Sequence, residues 1–114
     1  MNIERFEDII AWQKAKELSL EVYRLFGDSK DFGFRDQIQR AAISIMNNIA
    51  EGFERESDKD FKRFLYIAKG SSGELRSMLT VAKELDYITG EQYDDLYKKS
   101  VEISRLLSGF IRKI

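Results

Sequence analysis

Histidine, cysteine and proline are all absent from the 114 residues of this chain. Without cysteine there is no disulfide framework, no thiolate metal site and no Cys nucleophile, and the redox compartment stays open. Without histidine the chain lacks the commonest general base, the commonest transition-metal ligand and the usual partner of a Ser or Cys nucleophile. It also cannot be a di-iron carboxylate bundle of the usual form, whose ligand set draws a Glu-x-x-His motif from two helices. The carboxylates, for instance Glu4, Glu7 and Asp8, or Glu51 and Glu54, read as first-turn and surface charges rather than an acid–base pair. No enzymatic activity is expected, and no cofactor, metal or small-molecule substrate. No apolar run approaches the ~18 residues that cross a bilayer, so no membrane partner is expected either. Met1-Asn2-Ile3-Glu4-Arg5 lacks the basic region and apolar block of a signal peptide, which makes the cytoplasm the default location.

What is present is helical periodicity. Apolar residues recur at three and four positions along most of the chain, which is long enough for one domain spanning residues 1–114. Four helices are predicted. The first runs from about Glu7 to Phe26, with Ala11, Ala15, Leu18, Val22 and Leu25 as its stripe and Gly27 placed to end it. The second runs from about Phe34 to Ala50 or slightly beyond on Phe34, Ile38, Ala41, Ile45 and Ile49, with Gly52 as the expected stop. Ser57, with Asp60 three residues on, opens a third helix from Asp58 to about Leu85, its inward row running from Phe61 to Leu85. Thr89 and Gln92 form the capping box of a fourth helix carrying Tyr93, Leu96, Tyr97, Ser100, Ile103, Ser104, Leu107 and Ile111. Short connections make neighbours antiparallel, so the expected fold is all-α, an up-down-up-down four-helix bundle.

Gly70-Ser71-Ser72-Gly73 is not a phosphate loop, because Glu74 follows inside a helix where the Walker pattern needs Lys-Ser/Thr after a strand. The better reading of the segment is close packing, with Ala68, Ser71 and Ser72 letting another helix approach at mid-bundle.

Two constellations are candidate binding surfaces. On the second helix Gln37, Ser44, Asn48 and Glu51, together with Arg55, fall within an arc of about 60° on a helical wheel, with Arg40 and Asn47 at one edge. Such a strip is a polar seam between subunits or against a neighbouring helix, where Arg40 or Arg55 pairs with Glu51; alternatively it recognises a nucleic acid or peptide. On the third helix Lys62, Lys69, Arg76 and Lys83 recur every seven residues, and Lys59 and Arg55 extend the row. Seven residues are almost two turns, so successive members stand about 10 Å apart along one ridge that can track phosphates, unless Asp58, Asp60 and Glu74 neutralise it as an ordinary solvated face. The whole-chain net charge of −1 therefore hides a local excess of positive charge.

The first helix is apolar beyond a single stripe, with Ile9, Ile10, Trp12, Leu20, Tyr23 and Phe26 widening it, and Ile43 and Ala50 lie on the back of the second. Surface of that kind needs a second body to bury against, so a homo-oligomer of closed cyclic symmetry is expected.

Phe6 to Ala15, Gln37 to Ile45, the run Asn48-Ile49-Ala50-Glu51-Gly52, and Phe61, Phe64-Leu65, Ala68, Gly70-Ser71 and Glu74-Leu75 carry a family resemblance over nearly the whole chain. They resemble the four-helix-bundle proteins encoded in 23S ribosomal RNA intervening sequences, and are similar to the accessory variability determinant proteins of diversity-generating retroelements. The core pattern is R-A-A-x-S-I-x-x-N-I-A-E-G, with Met46 where the family pattern often has Pro. The resemblance implies a bacterial cytoplasmic homopentamer with no enzymatic activity and no established biochemical role. Its retroelement branch implies a basic surface for RNA or DNA and a reverse transcriptase-like partner. Two readings follow: a scaffold for RNA or a nucleic-acid-processing partner, or a structural or regulatory protein-binding module that binds no nucleic acid.

Overall fold

The computed structural model describes residues 2–114 and consists of four long helices: α1 (Ile10–Phe26), α2 (Phe32–Phe53), α3 (Asp58–Glu84) and α4 (Gly90–Lys113). They alternate in direction in a rod of 43 × 22 × 19 Å. Each helix packs on its neighbours in the chain, and α1 closes the ring against α4. Inward positions at heptad-like spacing fill one core, in which Val22, Ile38, Ile45, Ile49, Leu65, Leu75, Leu79 and Leu107 are fully buried. Burying each such side chain is worth about 1.5–3 kcal/mol, and this sum drives assembly of helices that would be marginal alone.

The ends depart from the sequence reading in four places, each for a local reason. The first helix begins at Ile10 rather than near Glu7, because Phe6–Asp8 forms a separate 3-10 turn and Ile9 is extended, driving its side chain into the core. Gln13 Nε2 donates to Glu7 O at 2.8 Å and ties the turn to α1. The second helix begins two residues earlier than Phe34, since Asp31 caps it by accepting from the Phe34 N–H at 3.2 Å. Gly52 does not stop α2. It lies inside the helix, where a Cβ would fall 2.6 Å from Phe64 Cβ, so glycine is required by the close approach of α3. Leu85 is not inward but 51% exposed. There α3 ends in a Schellman motif, with Tyr87 N–H bonded to Ala82 O at 2.8 Å, Asp86 N–H bonded to Lys83 O at 3.0 Å, and Asp86 taking the left-handed φ of 60° usually given to glycine. The caps at Ser57 and Thr89 are as the sequence predicts, the second a full capping box. At Met46 α2 runs on unbroken.

A polar layer crosses the bundle at mid-height. Adjacent residues of α3 point to opposite neighbours: Ser71 Oγ shares a hydrogen bond with Ser44 of α2 at 3.0 Å, while Ser72 Oγ donates to Ser100 O of α4 at 3.0 Å. Ser100 Oγ returns the bond to Ser72 O, also at 3.0 Å. These serines, not the glycines beside them, make the close contacts: no neighbouring atom lies within 4 Å of where a Cβ would stand on Gly70, and a Cβ on Gly73 would meet only Arg76 Nη2, at an ordinary 3.7 Å.

Candidate nucleic-acid interface

The basic row divides when placed on the fold. Arg55 lies in the turn between α2 and α3, where Nη2 meets Glu51 Oε1 at 2.8 Å and its guanidinium covers the Phe64 ring. It belongs to the α2 side, not to the row. Lys59 is exposed in the first turn of α3. Lys62, Lys69, Arg76 and Lys83 keep to the flank facing α4, drifting about 20° per heptad as a straight helix requires. The drift brings Arg76 and Lys83 closest to α4. Lys83 Nζ stands 4.7 Å from the centroid of the Tyr93 ring, and Arg76 Nη1 reaches Ser104 Oγ at 2.8 Å, Ser72 Oγ at 3.1 Å and Ser100 Oγ at 3.1 Å. Hydroxyls, not carboxylates, hold this guanidinium.

Helix α4 supplies the opposite wall. Phe61 lies against Phe110, Ser72 against Ser100, and Lys83 over Tyr93, an antiparallel register that brings Lys69 to the same stretch of groove as Arg105. A groove of about 650 Å³ runs between the helices, lined by Lys69, Arg76, Tyr97, Val101, Ser104, Arg105, Ser108 and Arg112. Among the described residues, none of Lys69, Arg76, Arg105 and Arg112 has a carboxylate oxygen within 4.0 Å. Four cations converge on a furrow whose other side chains are hydroxyls, a phenol and a valine. Arrays of this kind attract phosphate by long-range field and hold it by charge-assisted hydrogen bonds. Arg105 and Arg112 are not in the sequence-based row, although their seven-residue spacing repeats that of Lys62, Lys69, Arg76 and Lys83 and marks them in the sequence.

The α2 strip lies beside α3. Ser44 and Asn48 are half-buried there, with Asn48 Nδ2 donating to Ser44 O at 2.8 Å and to Ser44 Oγ at 2.9 Å next to Ser71. Glu51 takes Arg55, while Gln37, Arg40 and Asn47 stay at the surface.

The apolar excess is exposed on α1 and the start of α2, and Tyr66, Ile67 and Val81 are exposed on α3 as well. Leu20 is 45% accessible, Tyr23 42% and Phe32 61%, with Ile10 also exposed. Trp12, half-buried, packs edge-on against Phe6 at 5.2 Å. Ile43 and Ala50 are half-buried on α2. No helix among the described residues is long and apolar enough to cross a membrane.

An antiparallel helical bundle with a cationic inter-helix groove is the class that these features define. The model for the 23S rRNA-intervening sequence protein family matches residues 7–109, and the chain belongs to that family. Among solved structures, it is similar to a protein of unknown function from the S23 ribosomal protein family of Bacteroides thetaiotaomicron VPI-5482. The two share 31% identity and a TM-score of 0.84 over 90% of this chain and 98% of that one. No curated protein matches it.

Proposed function

We propose that this protein is a non-enzymatic, homo-oligomeric scaffold that binds nucleic acid, RNA foremost, along the α3–α4 groove. The observation that carries the reading is the set of four cations, Lys69, Arg76, Arg105 and Arg112, gathered on one furrow without a carboxylate among them. An uncompensated cation row is costly to build, because like charges repel across it, and a polyanion relieves that repulsion while releasing its own counterions. Self-association is supported by the apolar surface at Leu20, Tyr23 and Phe32, which belongs to helices other than the two that line the groove. The family resemblance favours a pentamer, and an intracellular site fits such a partner.

Titration of labelled RNA at two salt concentrations tests the binding. Affinity is expected to fall steeply with salt, with a log–log slope of roughly −0.7 per phosphate contacted by a single strand. Absence of binding at low salt would leave the protein-binding module as the surviving reading. Light scattering tests the assembly: a mass several times the 13.3 kDa of the chain is expected, and a Leu20→Ser, Tyr23→Ser double variant should lower it without loss of helicity. A monomeric wild-type chain at micromolar concentration contradicts that part.

A further inference from the structure

We infer that the α3–α4 groove takes a single strand of nucleic acid, bases unpaired, and discriminates against a duplex. The inference rests on the nucleic-acid reading above and adds the class of strand. Three features of the groove carry it.

Arg76 is recessed. Its Nη1 is held down on Ser72, Ser100 and Ser104, and the residue is half-buried on the groove floor below the exposed cations of the rim. The two walls belong to helices packed at the ordinary ~8–10 Å separation, so the furrow between them is too narrow to take in the body of a duplex. A duplex, rigid and carrying its phosphates on the outside of a broad cylinder, rests on the rim and reaches Lys69, Arg105 and Arg112. It cannot lower a phosphate to Arg76. A flexible single strand can.

The cations also occupy both walls of one furrow and not both flanks of one helix. A helix that enters the major groove meets phosphates on either side of itself, but α3 carries its row only toward α4. Its other flank is occupied by the seam with Ser44 and Asn48. Lys69 and Arg76 from α3 and Arg105 and Arg112 from α4 instead straddle a backbone laid lengthwise between them.

Finally, the groove ends in aromatic surface. Tyr97 lines it, and its ring lies 5.3 Å from that of Tyr93 in a tilted pair. A phenol face beside a cation row gives an unpaired base a stacking platform that accepts any base, whereas the bases of a duplex are already stacked on one another.

The test is fluorescence anisotropy with the full chain at low salt, using a mixed-sequence RNA 12-mer, the same sequence as DNA, and each annealed to its complement. Both single strands are expected to bind at least roughly tenfold tighter than the duplexes, as one stacked base and one added phosphate interaction imply. Tyr97→Leu should remove about tenfold from the single-strand affinities and leave the duplex values unchanged, while Tyr97→Phe restores binding. If Tyr97→Leu does not fold, Arg76→Gln serves: it should weaken the single strands more than the duplexes. Tight RNA with weak DNA supports the inference and identifies RNA as the source of the strand. Equal or tighter duplex binding overturns the inference and leaves the nucleic-acid reading standing; failure of all four probes to bind overturns both.

Discussion

The two flanks of α4 are made from similar residues and do opposite things. Toward α1, lysines are paired with carboxylates: Lys14 Nζ meets Glu102 Oε1 at 2.8 Å, and Lys99 Nζ meets Glu21 Oε1 at 2.7 Å and Asp95 Oδ2 at 3.0 Å. Hydrogen bonds to Glu21 and Asp95 hold the Lys99 ammonium above its ordinary pKa, and the bond from Lys14 holds the Glu102 carboxyl below its own. Toward α3, Arg105 and Arg112 face Lys69 and Arg76 across an open groove with no carboxylate lining it. Charge on the first flank is consumed in docking two helices. On the second it is left facing outward, and the hydroxyl layer at Ser72, Ser100 and Ser104 supplies the hydrogen-bond acceptors that seat a half-buried guanidinium without a carboxylate.

The strongest way to break this contrast is Ser100→Ala. It removes the hydroxyl that bonds Ser72 O and Arg76 Nη1 at a fully buried position, so the unfolding free energy should drop by about 1–3 kcal/mol in a urea titration, with nucleic-acid affinity falling as Arg76 loses its seat. A smaller effect is expected from Lys99→Met on the paired flank. Its partners are partly exposed, so the loss should be about 0.2–1 kcal/mol, and affinity for RNA should stay within about twofold of wild type because the site is screened from the groove. The smallest effect concerns the end of the bundle. There Tyr87 Oη donates to Asp31 Oδ2 at 2.7 Å and joins the two loops, and this bond, with the Phe34 N–H, holds the Asp31 carboxyl below its ordinary value. A depressed folded value means that the stability it contributes is complete above about pH 5 and is lost as pH falls through and below the ordinary ~3.9. Tyr87 is raised by the same bond, so its contribution is present below about pH 10 and fades above. Thermal melts of Tyr87→Phe should therefore lie slightly below wild type near neutrality and converge with it on the acid side, so that the variant's acid decline is the shallower.

Much of the fold was legible because periodicity and caps are local. The stripe through Ile38, Ala41, Ile45 and Ile49, the Ser57 cap and the Thr89–Gln92 box each carry their meaning within a turn or two of chain. Gly52 was not legible as a helix-interior residue, because its reason lies in Phe64 on another helix, and a glycine near a helix end reads as a stop. Leu85 failed similarly: an apolar residue in phase with its helix turns outward once the backbone leaves the helix at Asp86. The groove was half legible. The heptad row on α3 is visible in the sequence, but that it faces α4, that Arg55 is drawn away to Glu51, and that Arg105 and Arg112 complete the opposite wall depend on the register between helices far apart in the chain.

The most direct test of the contrast between flanks is a pair of matched neutralisations that change net charge equally: Lys69→Gln with Arg105→Gln in the groove, and Lys14→Gln with Lys99→Gln on the paired flank. RNA affinity is measured for each from about 50 to 200 mM salt. The groove pair should weaken binding and make the salt slope shallower by roughly 1.4, about 0.7 for each phosphate no longer neutralised, while the other pair leaves the slope where it was. Equal changes for both pairs would contradict the account, since binding would then follow net charge and not the groove.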